Sequence, residues 1–75
     1  MIRLTGKDLP TGLSHLRTYW EGEEADPEII EKFCDGEITE DEEIRMFLEW
    51  CQEEGIHDML EEDKRDLKEL LAKMN

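Results

Sequence analysis

The residues best equipped for chemistry lie in the run DGEITEDE, where Asp35, Glu37, Thr39, Asp41 and Glu42 set carboxylate and hydroxyl oxygens around Gly36. That is the raw material of a calcium loop. An EF-hand loop takes oxygen ligands at positions 1, 3 and 5, glycine at 6 and glutamate at 12. With Gly36 at position 6, Glu42 falls at 12 and Asp35 at 5, but Phe33 falls at 3 and Glu31 at 1. Phe33 cannot ligate. The pair Asp26-Pro27 also starts a helix that the early ligand positions would have to interrupt. A helix, a glycine stop and a fresh N-cap explain the same residues with fewer exceptions.

Zinc would draw on His15, Cys34, Cys51 and His57, a sufficient number of nitrogen and sulfur ligands. None of them form the closely spaced C-x₂₋₄-C or H-x₃₋₅-H pairs that seed a zinc site. Cys34 and Cys51 fall on apolar stripes, where a free cysteine serves as a small hydrophobe. Nucleophilic catalysis has one serine, Ser14, whose neighbour His15 points elsewhere on a helix. No phosphate-cradling glycine loop or nucleophile motif is present. The expectation is a chain that is not an enzyme, with no cofactor and no metal.

The elements that carry these residues follow from punctuation and period. Leu9, Leu13, Leu16 and Trp20 share one helical face, and EGEEAD then breaks the pattern. Asp26-Pro27 supplies an N-cap and a proline at the first helical position, opening a second helix whose inner stripe is Ile29, Ile30, Phe33 and Cys34. Gly36 suits a left-handed stop. Thr39 and Glu42 make a capping box for a third helix from about Glu40 to Glu54, with Ile44, Phe47, Leu48 and Cys51 inward and Gly55 at its end. Asp58 and Glu61 give another acidic cap pattern, followed by Leu60, Leu67, Leu70, Leu71 and Met74. Asp63 falls on that apolar side, either as the cap of a restarted helix or at its solvent margin. The predicted fold is all-α: one domain of four short helices over residues 1–75, with an extended stretch at 2–5. Phe33, Phe47, Leu48 and Leu67 should be among the most buried residues.

A chain of 75 residues buries only about 60% of its unfolded surface, so its core is thin and a deep active site is hard to build. Charged residues make up 41% and the net charge is −13. The charge is concentrated in the middle. Residues 21–63 hold 19 acids against Lys32 and Arg45, while each flanking segment is slightly basic. A field of that sign disfavours nucleic acid and anionic membranes and favours a basic partner. No apolar run is long enough to span a membrane, and MIRLTGKDLP lacks the apolar core of a secretory signal. A cytoplasmic protein with free thiols is the expectation.

On the third helix Glu42, Glu49 and Glu53 fall within about 40° of one another, opposite Ile44 and Cys51. The second helix adds Glu28, Glu31 and Asp35, and the connector adds Glu37, Glu40 and Asp41. Met46 and Trp50 lie beside this acidic stripe as candidate apolar anchors. Adjacent acidic helices can approach the charge pattern of one phosphate strand, about one charge per 1.7 Å of duplex axis counting both strands. In size, charge and helix content the chain resembles small acidic phage-encoded inhibitors, including DNA mimics and some anti-CRISPR proteins. The expectation is a non-enzymatic inhibitor or regulator that binds a basic, nucleic-acid-binding surface of a partner through those eleven residues of the acidic face, Glu28 to Glu53. A competing expectation is a small adaptor or homodimerising module whose apolar interface is carried by Tyr19, Trp20, Trp50 and Met59.

Overall fold

The computed structural model describes residues 4–74, apart from the side chains of Asp58 and Met74. The expectations for residues 2 and 3, for Asp58 as a cap and for Met74 in the last stripe therefore fall outside the described residues. Four α-helices carry the fold: α1 (Thr11–Tyr19), α2 (Pro27–Cys34), α3 (Glu40–Glu53) and α4 (Glu61–Met74). Among the described residues there is no β-strand.

The punctuation works as its chemistry dictates. The Asp26 carboxylate accepts from the Glu28 backbone N–H at 2.9 Å, with Pro27 at the first helical position. Gly36 adopts φ +85°, a conformation that costs glycine little. At the start of α3 the Glu42 N–H donates to Thr39 Oγ1 at 3.2 Å, and the Thr39 N–H donates to Glu42 Oε1 at 3.3 Å. Thr39 and Glu42 form the expected reciprocal box.

The third helix is the centre of the molecule. Ile44, Phe47, Leu48 and Cys51 are buried, joined by Leu13 from α1, Trp20 just after it, and Leu67 and Leu70 from α4. Leu4, Leu9 and Met59, from the connecting segments, close the ends of this core. The Phe47 ring lies 5.7 Å from that of Trp20 and 6.4 Å from that of Trp50. The Trp50 ring lies on Gly55, where a Cβ would stand 2.7 Å from Cζ3, so that position has no room for a side chain.

Several expectations are corrected. The helical path does not stop where EGEEAD begins: it widens into a π turn, Trp20–Glu24, with the Ala25 N–H donating to the Trp20 carbonyl at 2.7 Å, and breaks within that run at the extended Ala25 and Asp26. That turn keeps Trp20 inside. The second helix packs at the margin, on α3, so Ile29, Ile30 and Phe33 are half-buried and Cys34 is exposed. Phe33 is therefore not among the most buried residues, whereas Phe47, Leu48 and Leu67 are. Leu60 precedes α4 and is 72% exposed, so the helical spacing that grouped it with Leu67 does not apply. Asp63 is not a cap; it lies at the solvent margin, the second of the two alternatives. It sits half-buried in the first turn of α4, against Gly12 of α1, where any Cβ would collide with its carboxylate.

Candidate functional site

The eleven residues expected to meet a partner divide into three groups. Glu28 and Glu31 on α2, Asp35 at its C-terminal cap, Glu37 in the connector, and Glu49 and Glu53 on α3 are exposed. Their carboxylates make no ion pair or hydrogen bond among the described residues, except that Glu28 lies 3.7 Å from Lys32.

A second group of acids is committed within the fold. Glu42 is exposed but closes the capping box of α3. Asp41 accepts from the Leu4 N–H at 2.8 Å and from Arg45 Nε at 2.9 Å, fastening the N-terminal segment to the start of α3. Glu40 reaches the guanidinium of Arg17 at 3.9 Å.

The apolar pair forms the third group. Met46 and Trp50 are half-buried and pack against the core, with the Trp50 indole N–H buried and without an acceptor among the described residues. They offer edges to a partner, not whole side chains. For the competing apolar interface, Trp20 and Met59 are buried in the core, which removes two of its four residues. Tyr19 is 50% exposed, and its hydroxyl donates to Glu24.

Sequence reasoning missed the charged group that sits inside the fold. Glu43 has no exposed surface, and Arg17 grips it in a fork, Nε to Oε1 at 3.1 Å and Nη2 to Oε2 at 2.8 Å. The hydrogen bond to Glu43 raises the pKa of Arg17 and keeps it charged, more than offsetting its burial. The Arg17 guanidinium also lies 6.0 Å from the Phe33 ring centre, which ties α2 to the same cluster. Glu21, in the π turn, comes within 3.7 Å of Arg17 Nε. Burial, followed by the neighbouring Glu43 carboxylate, pushes Glu21 up to about 7, and the attraction of Arg17 offsets only part of that. The signal for this cluster was present in the sequence: Glu43 lies one turn before Phe47, and Arg17 one turn after Leu13, each on its helix's apolar stripe.

The thiols and imidazoles are not gathered. Burial pushes the Cys51 thiol up to about 12, which keeps it protonated, while Cys34, His15 and His57 are exposed. Among the described residues no three His, Cys, Asp or Glu side chains are grouped so as to hold a metal ion. Adding EDTA should leave the thermal melt followed by circular dichroism unchanged. A melting temperature that drops on chelation and recovers with calcium or zinc would contradict this. No described helix is long and apolar enough to cross a membrane. No protein-family model matches the chain, and no curated protein or solved structure matches it.

Proposed function

We propose that this protein is a non-enzymatic inhibitor or regulator that occupies a basic, nucleic-acid-binding surface of a partner protein. One observation carries the reading: the fold leaves Glu31, Asp35, Glu37, Glu49 and Glu53 exposed and without an ion pair among the described residues. The middle segment has two cations, Lys32 and Arg45, and each lies in a pair with an acid of its own helix, Glu28 and Asp41. Neither reaches Glu31, Asp35, Glu37, Glu49 or Glu53. Like charges left exposed on a thin-cored domain destabilise it by self-repulsion. A compensating use is docking on Arg/Lys surfaces that otherwise hold phosphates, the mode of the small acidic inhibitors it resembles.

Charge reversal tests the reading where the fold does not depend on the acid. Glu42 is unsuitable, since its carboxylate completes the capping box of α3 and its loss would weaken the start of that helix. Changing Glu31, Glu49 and Glu53 together to Lys should leave the circular dichroism melt near that of the parent. Affinity for a partner captured from host lysate should fall about 100-fold or more, since each reversal turns attraction into repulsion. Unchanged affinity in a folded triple variant would favour the adaptor reading instead.

A further inference from the structure

Three carboxylates converge on one guanidinium. Arg17 spends Nε and Nη2 on Glu43 at 3.1 and 2.8 Å, leaving Glu21 at 3.7 Å and Glu40 at 3.9 Å. Its Nη1 points to the N-terminal turn, 3.2 Å from where a Cβ on Gly6 would stand. The groups facing the cluster are Glu40 and Glu43 from α3, Arg17 from α1, the uncharged Phe33 ring from α2 and Gly6 from the N-terminal turn. No ion pair among the described residues brings a second cation to Glu21 or Glu43. With every carboxylate ionised the cluster would carry a net charge of −2 beside a side chain with no access to water.

We propose that the Glu21–Glu43 pair holds one proton at neutral pH, and that losing it as the pH rises loosens the π turn (Trp20–Glu24) from α3. Glu21 is the site of that proton. Both Glu43 carboxylate oxygens accept from the Arg17 fork, whereas Glu21 has one longer approach to Arg17 and a side chain that is 29% exposed. Protonated Glu21 is neutral and can donate to Glu43. Ionised Glu21 repels it, and its proton leaves directly to solvent. The strain falls on the turn because Trp20, the adjacent residue, is buried against Phe47.

The direction of the pH dependence follows from the raised folded-state value. Below about 4.5, the ordinary value, Glu21 is protonated whether folded or unfolded, and its stabilisation is fully present. That stabilisation is lost as the pH rises through about 7 and stays lost above it. The two histidines, His15 and His57, are exposed and are common to the parent and a Glu21 variant, so they drop out of the comparison between the two.

Carbon-13 NMR of the glutamate carboxyls tests the device directly. One of Glu21 and Glu43 should titrate with a midpoint near neutrality, well above the exposed glutamates. Amide exchange, corrected for its intrinsic pH dependence, should lose at least about fivefold protection at residues 20–25 between pH 6 and pH 8, with α4 unaffected. Glu21→Gln, which keeps the neutral form, should retain that protection at pH 8 and show a smaller fall in melting temperature. The proposal is overturned if both carboxyls titrate below pH 5.5, or if Glu21→Gln shows the parent's pH response. If the variant fails to fold, the carboxyl titration of the parent decides.

Discussion

Replacing Arg17 by Met is expected to remove about 3–5 kcal/mol of stability, the usual cost of stripping one partner from a buried ion pair. The whole domain has roughly 4–11 kcal/mol to lose, at about 0.05–0.15 kcal/mol per residue. The loss would unfold much of the population at the low end of that range and take a large share of the stability elsewhere in it. Met preserves the apolar stem of the side chain, so the loss reports the guanidinium and not the packing. Glu43 would be left as an unpaired charge with no exposed surface, bordered by Glu21 and Glu40. An unpaired buried carboxylate costs most while it is charged, so the deficit should be largest at pH 8 and shrink at lower pH. A second substitution, Glu43→Leu, should recover most of the loss, because replacing both members of a buried pair by apolar groups is often neutral. Urea melts of the single and double variants at pH 5 and pH 8 measure all of this. An unmoved midpoint for Arg17→Met would show that the fork carries no stability.

Phe47→Ala should be comparably severe, about 3–5 kcal/mol, for a different reason. Phe47 is fully buried at the point where Trp20 after α1 and Trp50 within α3 meet it. Truncation removes the surface that both indoles rest on, and the cavity cannot collapse without moving α3 against α1. Unlike the Arg17 variant, this loss should be insensitive to pH between 5 and 8. A urea midpoint within error of the parent would place the centre of the core elsewhere.

The two variants also show which parts of the architecture can be read from residues in order. Local rules were sufficient for the start of α2 at Asp26-Pro27, the box at Thr39 and Glu42, and the turn at Gly36, because each depends on neighbours a few positions away. The inner stripe of α3 was legible for the same reason. Depth of burial was not. Ile29, Phe33 and Cys34 have the spacing of a core stripe, but α2 lies at the margin of the bundle and its stripe is only partly covered. The pairing of Arg17 with Glu43 spans 26 residues, and no local pattern says which charge on an apolar stripe will meet its opposite. In the acidic surface, charge and exposure were legible at Glu31, Glu49 and Glu53. The structural duties of Glu40 and Asp41 emerged only when Arg17 and Leu4 were placed beside them, whereas that of Glu42 was legible in its capping box with Thr39.

The inhibitor reading and the proton-sensitive turn share Glu40, but the residues that test them differ, so they fail separately. Glu21 takes no part in the exposed acidic set, and Glu31, Glu49 and Glu53 take no part in the buried cluster. Loss of the pH response would leave the partner proposal intact, and the reverse also holds.

The most direct test of the partner proposal is competition on a captured, purified partner, with affinity for this protein measured at rising salt and with the partner's own nucleic acid present or absent. The proposal predicts affinity that falls steeply with ionic strength, as many charge pairs are screened together, and mutual displacement by the nucleic acid. The protein alone should bind neither DNA nor RNA. Simultaneous binding of both to the partner at unchanged affinities, with little response to salt, would contradict it.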